Sequence, residues 1–182
     1  MRIIAGKLRS RKFDAPLGNG TRPTADRAKV ALFNILQGIV ENARVLDAFA
    51  GSGALSFEAL SRGAAEAVLF ETDAAVCKLL MNNAKSLGLL SLADIRCGDF
   101  ISGAAGITGR LFDVVFLDPP YGSELLLKAV ELSGDLLAPG GVIVAEHGSD
   151  REMPAGIGSL VKTGSRIYGA IAFSFYKRQE DL

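Results

Sequence analysis

Cysteine, histidine and proline are all scarce in this chain, at two, one and six of its 182 residues. So few cysteines exclude a disulfide scaffold. With His147 as the only histidine and no metal-ligand spacing around Cys77 or Cys97, the sequence predicts no metal site. Both cysteines are expected to be reduced, buried thiols. No apolar run approaches the roughly eighteen residues of a membrane helix, and the basic amino terminus is followed by further charges instead of a hydrophobic signal core. A cytoplasmic protein is expected. A surplus of either charge is missing too, because twenty basic and twenty acidic side chains cancel. What is plentiful is apolar: 49% of the residues are hydrophobic, and glycine occurs twenty-one times. At this length one compact domain burying roughly 70% of its unfolded surface is expected. That composition excludes disorder and collagen, and nothing in it demands more than a monomer.

The neutral total hides an uneven distribution. Residues 1–30 hold Arg2, Lys7, Arg9, Arg11, Lys12, Arg22, Arg27 and Lys29 against Asp14 and Asp26, so this end is about +6 and the remainder about −6. A basic arm over residues 1–24 preceding a mildly acidic body over 25–182 suits a polyanionic partner. A solvated tail would look the same. Within the arm, Ile3-Ile4-Ala5-Gly6 and Leu8 to Phe13 predict a hairpin turning at Gly6-Lys7, and Gly18-Asn19-Gly20 a turn.

From Thr24, an expected N-cap, the spacing of Val30, Phe33, Leu36, Ile39 and Val40 predicts a helix over 25–40. Beyond it, strands at 43–49, 67–71, 93–97, 112–118 and 142–146 alternate with helices at 54–61, from Asp73 to Leu87, and at 125–137, with a short helix or loop near 100–108. The helix over 125–137 is expected to stop at Pro139-Gly140-Gly141. Val45-Leu46, Val68-Leu69-Phe70, Val114 to Leu117 and Val142-Ile143-Val144 are apolar at consecutive positions, as strands covered on both faces are. Repeated strand–helix units imply a doubly wound, mainly parallel α/β sheet. Leu160-Val161-Lys162 and Ile167 to Lys177, around Thr163-Gly164-Ser165, predict a C-terminal antiparallel hairpin.

Ligands of such sheets bind beyond the carboxyl ends of the strands. Four of these ends carry unusual residues. Asp47-Ala48-Phe49-Ala50-Gly51-Ser52-Gly53 ends a strand in an acid and opens a helix through a glycine turn that lets backbone approach a ligand. Ser56 replaces the third glycine of a dinucleotide fingerprint, which argues against a pyrophosphate site. Glu71 ends the next strand, placed to accept from two vicinal ribose hydroxyls. Gly98-Asp99-Phe100 offers an acceptor for an adenine amine beside an aromatic ring, although Asp99 reads equally well as a helix N-cap. Asp118-Pro119-Pro120-Tyr121 is the sharpest signal. Two prolines fix the backbone and remove both amide donors, leaving carbonyl acceptors between an acid and an aromatic face. That is a receptor for a planar group bearing an NH2.

Together the four strand ends resemble a class I methyltransferase that binds S-adenosylmethionine, and Asp-Pro-Pro-Tyr resembles the motif of those that methylate nucleobase amino groups. Arg2-Ile3-Ile4-Ala5-Gly6, Thr21-Arg22-Pro23-Thr24 with Arg27 and Ala31-Leu32-Phe33-Asn34, and Asp47 through Leu55 resemble the RsmD family. Those bacterial enzymes make N2-methylguanine in 16S ribosomal RNA, usually at guanine 966. The resemblance covers nearly the whole chain. Two departures are Ser56, where many relatives have glycine, and Ala170-Ile171-Ala172, where a more polar run is usual.

The resemblance implies a Rossmann-like sheet of seven strands. It also implies that Asp118 and the Pro119 carbonyl, in the rigid setting of Pro120, accept the two N–H bonds of the target amine while Tyr121 stacks on the base. Asp47, Phe49, Gly51, Ser52, Gly53, Glu71, Thr72, Asp99 and Phe100 would hold the cofactor, with Thr24 in a segment from Thr21 to Arg27 that closes over its methionine end. Arg2, Lys7, Arg9, Arg11, Lys12 and Arg22 would bind RNA, and removal of residues 1–12 is expected to spare the fold and abolish RNA methylation. The local chemistry suits adenine N6 as well as guanine N2. A non-catalytic RNA-binding assembly factor is the alternative of a different class.

Overall fold

The computed structural model describes residues 1–16, 23–120 and 124–182, and of residues 23–25 the backbone alone. Five strands run parallel: β1 (Arg44–Asp47), β2 (Glu66–Glu71), β3 (Ala93–Cys97), β4 (Phe112–Leu117) and β5 (Leu137–Gly148). Three more, β6 (Gly156–Ile157), β7 (Leu160–Tyr168) and β8 (Ile171–Arg178), complete one sheet of order β3-β2-β1-β4-β5-β8-β7-β6. β8 lies antiparallel to both β5 and β7. The sheet thus has eight strands among the described residues, not seven. The extra one, β6, is two residues long and pairs Gly156 with Val161, too short for any hydrophobic alternation to announce it.

Consecutive apolar residues in the parallel strands face opposite layers. Val45, Leu69, Val114, Phe116 and Val144 join one buried cluster with Leu32 and Phe33 of α1 (Pro23–Ile35), Phe57 of α2 (Ala54–Ser61) and Leu80 of α3 (Ala74–Leu87). Leu46, Val68, Phe70, Val115 and Ile143 join the other with Phe100 of α4 (Phe100–Gly103) and Leu126 and Val130 of α5 (Leu125–Ser133). Each fully buried Leu, Val or Phe contributes about 1.5–3 kcal/mol. Local signals agree with α3: Asp73 accepts from Ala75 N at 2.7 Å and Val76 N at 3.1 Å, and Gly88 ends the helix at φ +75°.

Several boundaries differ from expectation for identifiable reasons. Helix α1 begins at Pro23, so Thr24 lies inside it, and it ends at Ile35 because the chain turns through Gly38 at φ +87°. Helix α5 stops at Ser133 in a tight turn over Gly134–Leu136, and Pro139-Gly140-Gly141 belong to β5. There the β4–β5 register shifts between Phe112 and Val114, with Gly140 at φ +75°. The C-terminal hairpin turns at Gly169 (φ +64°) and Ala170, while Gly164 sits within β7 where its register with β8 shifts. Glycine in that strand marks a bulge, not a turn. Of the cysteines, Cys77 is buried as expected but Cys97, at the tip of edge strand β3, is exposed.

The amino-terminal segment is tied into the body. Arg2 and Lys12 form one antiparallel bridge, with turns over residues 5–10 in place of a tight Gly6-Lys7 hairpin. Ile3 is 1% exposed, and the Phe13 ring meets Phe57 edge-on at 5.7 Å. Glu58 of α2, fully buried, accepts from Ile4 N at 2.8 Å, Ala5 N at 3.0 Å and Arg62 Nε at 2.8 Å. Ser61 Oγ donates to Ala5 O and accepts from Leu8 N. A β-carbon on Gly6, at φ +81°, would stand 1.9 Å from the Ser61 carbonyl oxygen. Removing residues 1–12 would uncover this apolar surface and take two donors from a buried carboxylate, so the truncation expected to spare the fold would damage it. The Gly18-Asn19-Gly20 turn lies outside the described residues.

Candidate active site

β1 has β2 on one side and β4 on the other, so the strand order reverses at its carboxyl end, where ligand crevices of such sheets form. A cleft of about 450 Å3 opens there. Its wall brings together Phe49, Gly51, Glu71, Thr72, Asp99 and Phe100 with Asp118, Pro119 and Pro120. Three of the strand ends singled out in the sequence thus place their acids on one cavity, although they lie up to 47 positions apart in the chain.

The glycine turn is held from both sides. Gly51 (φ +50°) donates its amide to Glu71 Oε2 at 3.0 Å, while Glu71 Oε1 accepts from Asp73 N at 2.8 Å and lies 3.5 Å from Thr72 Oγ1. Glu71 therefore couples the turn to the start of α3. On the other side, Asp47 is 2% exposed and accepts a 2.7 Å hydrogen bond from Ser56 Oγ. Burial pushes its carboxyl up to about 6, with the Ser56 hydrogen bond pulling the other way. Asp47 is absent from the cleft wall, as are Ser52 and Gly53. Asp47 is held by Ser56 within range of the charges of Glu71 and Asp118, and Gly53 (φ +79°) would drive a β-carbon to 2.4 Å from the Phe57 ring, so the turn packs closely on α2.

Gly51 and Gly98 behave differently. A β-carbon on either would meet no atom within 4 Å, and both line the cleft, so the space beside them is open and not filled by packing. Asp99 caps α4, accepting from Ser102 N at 2.9 Å and Ser102 Oγ at 3.0 Å, and the Ser102 backbone bond holds its carboxyl below the usual range. It is thus both the helix cap and part of the cleft wall. Phe100 is 1% exposed, with Phe70 at 5.5 Å and Phe49 at 6.4 Å between ring centres. Acceptors at Glu71 and Asp99, ring edges between them and open space at two glycines suit a nucleoside, which presents hydroxyl and amine donors on a flat apolar ring.

Asp118 follows the last residue of β4, with Pro119 buried behind it and Pro120 exposed. Burial first, then the charges of Glu146 and Asp47, raise its carboxyl well above the ordinary range. Glu146 was missed in the sequence although the same strand-end rule points to it: it ends the expected fifth strand and lines the cleft beside Asp118. Tyr121, Arg22 and the Thr24 side chain lie outside the described residues.

Among the described residues no basic side chain lines the cleft. Arg2, Lys7, Arg9, Arg11 and Lys12 are exposed on the segment bound to the second half of α2 and α3, where Arg11 Nη2 donates to Ser86 O at 2.6 Å. Lys29 is only 6% exposed and close enough to Glu58 to feel its charge; burial lowers its ammonium pKa. It leaves the basic surface counted from the sequence. Among the described residues no cluster of three metal-ligating side chains occurs, and no helix is long and apolar enough to cross a membrane.

A family model described as Conserved hypothetical protein 95 matches residues 1–177. Ribosomal RNA small subunit methyltransferase D of Escherichia coli (strain K12) is 36% identical over 183 residues, covering 98% of this chain and 90% of that one. The Haemophilus influenzae protein of the same name is 38% identical over 159 residues, covering 84% and 81%. Among solved structures, yhhF from Escherichia coli superposes with a TM-score of 0.87 at 37% identity, covering 98% of this chain and 97% of that one.

Proposed function

This chain belongs to the RsmD family, the one described as Conserved hypothetical protein 95, and from that premise we propose that it transfers a methyl group from S-adenosylmethionine to the exocyclic N2 of a guanine in 16S ribosomal RNA, at guanine 966, in the cytoplasm. The observation that carries the reading is the single cleft lined by Glu71, Asp99 and Asp118.

S-adenosylmethionine, when bound, supplies an electrophilic methyl group on a sulfonium. The chain's own residues do the rest. Glu71 accepts from the ribose hydroxyls, Asp99 from the adenine amine, and Phe49 and Phe100 border the ring. Gly51 gives the backbone a close approach, with Ser52, Thr72 and Thr24 assigned to the same cofactor by resemblance. Asp47, Ser56 and Gly53 hold the turn from behind.

A guanine amine is a weak nucleophile because its lone pair is delocalised into the ring. Burial and the neighbouring acids disfavour ionisation of Asp118, and the N–H donors of a bound base favour it. As a carboxylate, Asp118 with the Pro119 carbonyl accepts the two N–H bonds, turns the nitrogen out of the ring plane and offsets positive charge as it develops. Asp118 then receives the proton that the methylated nitrogen releases. Tyr121 is assigned the stacking face, worth about 1–3 kcal/mol per base. The base must leave its own stack to reach the cleft, which costs least in a loop. Exposed basic residues of the amino-terminal segment hold phosphate.

The test supplies labelled S-adenosylmethionine with naked 16S RNA, with small subunits lacking the modification, and with DNA, followed by nucleoside analysis. N2-methylguanosine from RNA or subunits is the expected product. N6-methyladenosine, or transfer to DNA alone, overturns the reading. D118A is expected to abolish transfer with S-adenosylhomocysteine affinity kept within a few fold.

A further inference from the structure

In the β4–β5 pairing Leu117 stands opposite Ala145. The next residues, Asp118 just past the end of β4 and Glu146 within the last pairs of β5, therefore lie side by side on adjacent strands, about 4.8 Å apart at the backbone. They also share a face, continuing the alternation of Val114 and Phe116 on one strand and Val142 and Val144 on the other. Both line the cleft. We infer that Glu146 is the residue that selects guanine, its carboxylate accepting the N1–H of the base whose N2 amine is held by Asp118 and Pro119.

The argument is one of hydrogen-bond polarity and rests on the function proposed above. Guanine presents N1–H and N2–H2 next to each other, a row of donors. Adenine presents its amine beside N1 as well, but that N1 carries a lone pair. Asp118 and Pro119 accept from either amine, so on their own they do not choose. A second carboxylate beside them does: it gains a charge-assisted hydrogen bond from N1–H and is repelled by the adenine lone pair. Two acids crowded at one half-buried spot also disfavour each other's ionisation, and a ligand edge made of donors offsets that repulsion where an acceptor would add to it. A carboxylate has roughly four acceptor positions, so a protein neighbour on one leaves others for the base.

2-Aminopurine keeps the 2-amino group and replaces N1–H by a lone pair; it also lacks the 6-oxygen, so the contact is read from the change in preference between wild type and E146Q. Small subunits are reconstituted with 16S RNA carrying either guanine or 2-aminopurine at the nucleotide the wild-type protein methylates, and single-turnover methyl transfer is measured on both. Wild type is expected to prefer guanine by at least about 100-fold. In E146Q the side-chain amide can donate to the N1 lone pair, and the preference is expected to shrink by at least about tenfold, with S-adenosylhomocysteine affinity within a few fold of wild type. Equal use of both bases by wild type, or an unchanged preference in E146Q, overturns the assignment. Should E146Q turn over neither substrate, the ratio of its affinities for the two RNAs with S-adenosylhomocysteine present is judged by the same criterion. Failure of wild type to methylate any guanine N2 is read before the variant enters; it overturns the proposed function and this assignment with it.

Discussion

Ser56 Oγ donates a 2.7 Å hydrogen bond to Asp47 Oδ2, tying β1 to α2 across the turn that joins them. Burial still leaves the Asp47 carboxyl at about 6, above the value near 4 of an unfolded chain. A raised acid favours the folded protein while it is protonated. This contribution is fully present below pH ~4 and is lost as pH rises through about 6. D47N is therefore expected to be more stable than wild type at neutral pH, by up to about 3 kcal/mol, and equal to it in acid. S56A should lose about 1–3 kcal/mol at neutral pH. Urea unfolding across pH 4–8 measures both, and parallel wild-type and D47N curves would refute the account.

Glu58 fastens the amino-terminal segment to α2. E58A is expected to cost about 3–5 kcal/mol, because Arg62 is left half-buried without its partner and two backbone donors lose their acceptor. Limited proteolysis should then cut within residues 1–16 well before the rest of the chain. Protection equal to wild type counts against this anchor.

Glu71 serves the turn and, in the proposed function, the ribose. E71A should weaken S-adenosylhomocysteine binding by about 10–100-fold, the worth of one or two hydrogen bonds to a charged acceptor. Calorimetry reads the loss. Because Gly51 N and Asp73 N also lose their acceptor, amide exchange at both should quicken.

Lys7 and Arg9 are exposed on the arm. The double replacement K7Q/R9Q should lower the slope of log affinity for 16S RNA against log salt by about 1.5, leaving unfolding and cofactor affinity unchanged. An unaltered slope would place RNA elsewhere on the surface.

Much of this fold is legible in the sequence because its strongest signals are local. Val114 to Leu117 can only be a strand covered twice, and Asp73 with Gly88 marks both ends of α3. Residues whose role depends on distant partners are less legible. Glu58 reads as an ordinary helical acid until Ile4 and Ala5 meet it. Gly164 reads as a turn until β8 shows it to be a bulge, and the packing of Gly53 against the Phe57 ring appears only once α2 is in place. At the cleft, Glu71, Asp99 and Asp118 were visible because each ends a strand in an unusual setting. Glu146 stands in an unremarkable setting within β5, and only the pairing of Leu117 with Ala145 puts it beside Asp118.

Gly6 lies against the Ser61 carbonyl with no room for even one more carbon. Lys7, Arg9 and Arg11 follow it on the same segment, so any larger residue at position 6 would lever that cationic block off the helix as a unit. A single hydrogen atom thereby fixes the stand-off between the positive flank and the body of the protein, and a methyl group there would shift three charges without replacing any of them.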